Sequence, residues 1–353
     1  MMPMFYIHQT SCISPQQTFP DADLGVLHQP VDGKLKVIEP SYEGIPPGIL
    51  RRMSKSVRIG IGAALPLLKD RPTPGGIIIG TANAGFEDCF HFLKQIVDYN
   101  EGLLSPGSFV QSTPNALAGQ LGILKQNKGY NITHVHLGLA FENAATDAAM
   151  MIEENPGTSY LLGAVDDISA YNYNLNLLAG WFKNETFAAE KLYDRNSPGS
   201  IAGEGTAMFW VNDDPYNAIA KIKAIGTVHS EDIAVVNERL QFFLDNHLPA
   251  GEKIDLLISG ENGDNRLIKY YEACEKVVGV GAAVTRFKHA CGEYPTASAM
   301  ALWLACHILQ GNEVPGHMIK KGCPGKELNN ILICNNHKGA QHSFILVGAG
   351  GVR

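Results

Sequence analysis

The sequence is poor in the features that mark several large protein classes. Its seven cysteines are an odd number, show no C-x-x-C spacing, and leave the whole stretch between residues 90 and 273 without a thiol. That pattern disfavours a disulfide framework and a structural zinc site, and fits reduced thiols in a cytoplasmic protein. No uncharged apolar run approaches the length of a bilayer crossing. The opening "MMPMFYIHQTSCISP" lacks the basic-then-apolar order of a secretory leader. Positive charge is also scarce. With 28 Lys and Arg against 35 Asp and Glu, the net charge is −7, which argues against a partner recognised through its phosphate backbone. The one basic concentration is Arg51, Arg52, Lys55 and Arg58 in "LRRMSKSVR". It reads either as a solvated helix face or as a site for an acidic partner.

What is present is a large core. Of 353 residues, 45% are hydrophobic and 18% charged, the balance of a globular chain of one large or two ordinary domains. Strand-like runs ("FYIHQTSCI", "GGIIIGTA", "TSYLLGAVDD", "GTAMFWVND", "IDLLISGENGD") alternate with helical stretches such as residues 86–99 and 231–246. "NILICNN" and "HSFILVGAG" close the chain as a hairpin, and no low-complexity linker interrupts it. This order favours a layered α/β protein with mixed sheets.

Two stretches share one design. "ITHVHLGLAFENAATDAAMM" and "KHACGEYPTASAMALWLACHIL" each run from strand through a short turn into a helix that begins with small residues. Such elbows present nucleophiles at helix N-termini, yet the first has Gly138-Leu139-Ala140 at its tip. One elbow in each half suggests an internal duplication. His134 and His136, two apart on a strand, share a face with metal-ligand spacing. No third ligand lies nearby, and they are read as interface or core histidines. Cys291, at the second turn beside Lys288, His289 and Glu293, is either a buried space-filler or a thiol activated by a helix N-terminus and a cation.

"PGSFVQSTPNALAGQLGI", the first elbow, "YLLGAVDD", "AGEGTAMFWV", "KHACGEYPTASAMA" and "ILICNN" occur in an order and spacing that resembles the β-ketoacyl-acyl-carrier-protein synthases, condensing enzymes of the thiolase fold. The resemblance covers nearly the whole chain. It implies a five-layered αβαβα fold of two pseudo-symmetric halves, residues 1–215 and 216–353, forming one compact unit. It also implies a dimer joined through the strand "THVH". Family catalysis combines a Cys nucleophile on the first elbow, two histidines that stabilise the developing negative charge, and a supporting Lys.

Carried over position by position, that machinery is largely missing. A gapless count from "LGAVD" puts Gly138 at the nucleophile position. The "HGT"-like turn after "DLLISG" reads Gly260-Glu261-Asn262-Gly263-Asp264, with Gly260 taken as the histidine's place. In the "K…GH" motif Lys288 is kept and Glu293 replaces the second histidine, while the gating "GFGG" loop is rendered "NNHKGA" at residues 335–340. The expected function is a chain-length-factor-like subunit that lacks condensing activity, pairs with an active ketoacyl synthase or itself, meets an acyl carrier protein through Arg51, Arg52 and Lys55, and uses no cofactor or metal. Nucleic acid and membrane are not expected partners. The alternatives are an active acyltransferase built around Cys291 and a non-enzymatic homodimer that binds an acyl chain.

Overall fold

In the computed structural model, which describes residues 4–325 and 327–351, the chain lays down one succession of elements twice. The first repeat runs β1 (Phe5–Ile13), α1 (Lys55–Leu68), β2 (Gly76–Thr81), α2 (Phe86–Asp98), α3 (Ala116–Leu124), β3 (Tyr130–Val135), α4 (Ala140–Glu154), β4 (Tyr160–Asp166), α5 (Ala170–Leu178) and β5 (Gly205–Asn212). The second runs β6 (Ala220–His229), α6 (Ile233–His247), β7 (Leu256–Ser259), α7 (Ile268–Val278), β8 (Ala283–Arg286), α8 (Ser298–Leu309), β9 (Ile331–His337) and β10 (Gln341–Ala349). Spatial order is β3-β2-β4-β5-β1 in the first and β8-β7-β9-β10-β6 in the second, with the same parallel and antiparallel neighbours. The repeats are therefore topologically equivalent, strand for strand. They join where Phe5–Ile7 of β1 pairs with Ala220–Ile222 of β6.

Strand sequences explain the layering. β2 and β4 are buried along their whole length, as expected of strands covered on both faces. Alternation then sorts their side chains. Ile78, Leu162 and Phe209 point into a central cluster, whereas Ile77, Ile79 and Leu161 point into an outer one with α1 and α3. In the second repeat Ile258, Ile333 and Ile345 join the central cluster, and Leu257, Leu332 and Phe344 pack beneath α6 and α7. The central layer is α4 and α8. Their small residues, Ala144, Ala145, Ala148 and Ala149 of α4 and Ala301 and Ala305 of α8, share the central cluster and let the two halves of the continuous sheet close on one helical layer. The order is αβαβα.

Two boundaries differ from the sequence reading. The basic segment is not one helix face, because α1 starts only at Lys55 and Arg51 and Arg52 sit in the preceding turn. α4 starts at Ala140, directly after a short 3-10 turn, whereas the helical spacing of Ala144, Ala145, Ala148 and Ala149 in the sequence puts its start near Asn143. Among the described residues no helix is long and apolar enough to cross a membrane.

Candidate functional site: the vacated elbow

β3 ends at Val135, and the chain turns through Leu137, whose φ of +50° lies in the left-handed region. That conformation costs a non-glycine residue about 1 kcal/mol, and it persists where the surroundings fix it. The next residue, Gly138, is buried, and its N–H donates to Gln341 Oε1 at 2.9 Å. A Cβ on Gly138 would lie 2.2 Å from the Cβ of His337, so no larger residue fits there. The gapless count thus lands on a packing glycine. The elbow side chain that lines the adjoining cavity is Leu137.

That cavity is small, about 80 Å³, and lies among the ends of both repeats. On its far wall Glu293 Oε1 accepts from Lys288 Nζ at 3.0 Å, and its Oε2 accepts from Asn262 Nδ2 at 2.8 Å. Lys288 is wholly inaccessible to solvent, and Glu293 is the carboxylate that bonds it, with the buried Glu142 also close enough to act on its charge. In the 260–264 turn the cavity-lining members are Asn262 and Asp264, of which Asn262 bonds Glu293. Gly260 is instead packed on β9, where a Cβ would stand 2.4 Å from Asn335 Oδ1. The glycine that follows Asn262 was the available signal. Anchoring the "HGT"-like turn on Gly263 rather than on the strand end selects Asn262. The converging set is therefore a leucine, an amide and a closed ion pair. None of these is a nucleophile.

Cys291 does not replace it. The thiol is fully buried, donates to Gly292 O at 3.2 Å, does not line the cavity, and is pushed up to about 12 chiefly by burial. Its turn is pinned from both sides, with Glu293 N donating to Ile201 O and Gly203 N donating to Glu293 O. His289 faces elsewhere. It bonds Tyr193 Oη at 3.1 Å and His317 Nδ1 at 2.8 Å, and burial lowers its pKa to about 3, so it stays neutral. The Cys291–His289 pairing needed for a thiolate is not assembled.

Two cavity residues went unnoticed in the sequence. Asp167 is 9% exposed, and burial followed by the neighbouring charges of Glu204 and Asp166 pushes its carboxyl up to about 7. His337 is 8% exposed, and burial followed by Lys338 and Lys288 lowers it to about 3. The basic patch, for its part, divides. Lys55 is an ion-pair partner of the buried Glu204, and Arg58 forks onto Glu39 at 2.7 and 2.8 Å, leaving Arg51 and Arg52 exposed. His134 bonds Asp147 at 2.9 Å and His136 bonds Asn143 at 2.9 Å. Among the described residues no three metal-ligating side chains cluster.

Residues 29–179 match the family model of the beta-ketoacyl synthase N-terminal domain. Over that stretch the chain is similar to the beta-ketoacyl synthases. This ketosynthase-like chain superposes over its full length on solved structures of that fold. They include a beta-ketoacyl synthase from Burkholderia phymatum STM815 (14% identity, 100% of both chains, TM-score 0.74). A second is the ketosynthase ApeO in complex with its chain length factor ApeC from Xenorhabdus doucetiae (11% identity, 99% of this chain and 98% of that chain, TM-score 0.75). A third is the ishigamide ketosynthase/chain length factor (18% identity, 99% of this chain and 100% of that chain, TM-score 0.74). At these identities the likeness establishes the thiolase-type fold. No curated protein shows significant sequence similarity to the chain.

Proposed function

We propose that this ketosynthase-like protein is a non-condensing, chain-length-factor-like subunit that pairs in the cytoplasm with an active synthase and its acyl carrier protein, in polyketide- or fatty-acid-type biosynthesis. The observation that carries the reading is the elbow. Leu137 stands at the cavity where a thioester would form, and Lys288, Glu293 and Asn262 satisfy one another across from it. An acyl chain also finds no room, because about 80 Å³ is well below the roughly 300 Å³ at which small-molecule pockets begin. This weighs against the acyl-binding homodimer as well as the active enzyme.

The open edge of the sheet supports a partner of the same fold. Among the described residues β3 pairs on one side only, with β2, and Val135 at its end is 53% exposed. Thr133 Oγ1 donates to Asn115 Oδ1 just before α3, and the neighbouring segments expose Val97, Phe109 and Ile123. An unpaired strand beside exposed apolar side chains is an aggregation hazard unless another chain covers it. Arg51 and Arg52 remain as the candidates for carrier contact. Co-expression with a synthase and carrier from the same biosynthetic system tests the assignment. Co-purification in one complex, with product length altered when this subunit is omitted, is expected. Condensing activity of the isolated protein, or an unchanged product in its absence, overturns it.

A further inference from the structure

Away from the cavity, four separate segments are joined by one chain of hydrogen bonds. Tyr193 Oη lies 3.1 Å from His289 Nδ1, His289 Nε2 lies 2.8 Å from His317 Nδ1, and His317 Nε2 lies 2.8 Å from the carbonyl oxygen of Leu24. Tyr193 belongs to the 3-10 turn Ala189–Asp194 and His289 to the second elbow, while His317 precedes the short strand Ile319–Lys321 and Leu24 sits in the loop after β1. The last contact fixes every proton in the chain. A carbonyl oxygen accepts and never donates, so His317 carries its hydrogen on Nε2 and its Nδ1 accepts. His289 then donates from Nε2, which leaves its Nδ1 to accept from the Tyr193 hydroxyl. With both imidazoles neutral, every donor has an acceptor.

An added proton breaks that order. His317 is the partly exposed ring, whereas His289 is wholly buried, and burial followed by the charges of His317 and Arg286 lowers it to about 3. A protonated His317 donates from both nitrogens, so its Nδ1–H meets the Nε2–H of His289. Shifting the His289 hydrogen to Nδ1 moves the conflict on to Tyr193, whose other hydrogen bond among the described residues is with the N–H of His289, itself a donor. The charged neighbours do not remove the conflict. Arg286 lies over the Tyr193 ring and opposes a charge on His289, while Glu190 is the carboxylate that acts on His317 and favours its protonated form. Lys288 is taken up by Glu293, and Lys320 by Glu261 and Glu275. The loop itself carries Asp21, Asp23 and His28. What the chain holds down is apolar. Leu24 is 5% exposed and packs in the central cluster, with Ala22 and Leu27 against it.

We propose that the His289–His317 pair is an acid-released latch, which fastens the loop around Leu24 to the second repeat at neutral pH and frees it when His317 takes up a proton. Hydrogen exchange on the full-length protein, read by mass spectrometry at pH 7.5 and 5.5 and corrected for the intrinsic pH dependence of exchange, tests this. Peptides over residues 21–28, where Asp23 N donates to Gln17 O, are expected to lose protection at pH 5.5 by at least about tenfold more than peptides over β2. In His317→Gln, whose side chain cannot be protonated, that difference disappears, and in His28→Gln, within the loop itself, it persists. Equal protection of the loop at both pH values, a loss of the same size in β2, a difference that survives in His317→Gln, or one abolished by His28→Gln would each overturn the proposal. The contrast between loop and β2 in the wild-type protein decides the matter even where a variant does not fold.

Discussion

The two elbows occupy equivalent places in the two repeats, yet their surroundings are opposite. β8, which leads to the second, is covered at its outer edge by the chain's own short strand Ile319–Lys321. Every residue of the following turn, Lys288–Cys291, is buried. β3, which leads to the first, has no strand beyond it among the described residues, and Leu137 at the turn is 57% exposed. A duplicated unit thus finishes one edge with its own backbone and leaves the other for a second chain. It also keeps the accessible elbow on the unfinished side. The difference teaches that accessibility and reactive chemistry have parted. The reachable elbow carries no thiol, and the thiol sits in the unreachable one.

The sharpest test moves the thiol. In Leu137→Cys the new side chain takes an exposed elbow position, so iodoacetamide at neutral pH is expected to modify it at least about a thousandfold faster than Cys291, whose thiol is pushed up to about 12. Peptide mass spectrometry reads both rates in one sample. Condensing activity is not expected to return, because Asn262 and the Lys288–Glu293 pair supply no histidine opposite the new thiol. Comparable labelling of Cys291 would erase the contrast between the elbows.

Next in size is the ion pair behind the second elbow. Glu293→Ala leaves Lys288 charged and sealed from solvent, and a loss of about 3 kcal/mol in unfolding free energy is expected from denaturant titration. Glu293→Ala with Lys288→Met removes both charges and is expected to recover most of that loss. A single variant as stable as wild type would mean that water reaches Lys288, and the second elbow would then not be closed.

The edges themselves come third. Val135→Asp places a charge on the open edge and is expected to weaken association with a partner chain about a hundredfold, measured by sedimentation. Lys321→Asp on the self-covered edge is expected to leave association unchanged. If both substitutions act equally, the open and covered edges are not different in kind.

Much of the fold was legible because its signals are local and repeated. "GGIIIGTA" and "YLLGAVDD" announce buried strands through unbroken apolar runs, and "NILICNN" with "HSFILVGAG" announces a hairpin. The site was less legible, since its decisive facts are geometrical. Nothing in the word Leu137 declares a left-handed backbone, and Gly138 and Gly260 looked like vacated positions when each is a glycine forced by a close neighbour. Lys55 read as a surface charge because Glu204, its buried partner, lies 149 residues away. Asp167 carried no motif at all. Its importance comes from what surrounds it after folding.

The smallest effect separates the two halves of the cavity wall by pH. Asp167 has a folded-state pKa near 7, above its ordinary value of 3.8, because burial and then the charges of Glu204 and Asp166 oppose ionisation, partly offset by Lys55 and with a minor contribution from Glu87. Between those values the folded state holds more protons than the unfolded one, so this carboxyl contributes stability at low pH that is lost as pH rises toward 7. His337, lowered from 6.5 to about 3, has the opposite sign. The unfolded state binds its proton first, and stability is lost as pH falls from 6.5 toward 3. Asp167→Asn is therefore expected to stabilise the protein by about 1 kcal/mol at pH 8 and by less at pH 5, where the wild-type carboxyl is already protonated. Denaturant midpoints at the two pH values measure this. A gain that is equal at both would place Asp167 in contact with bulk water, and would separate it from the closed wall that His337 and the Lys288–Glu293 pair form.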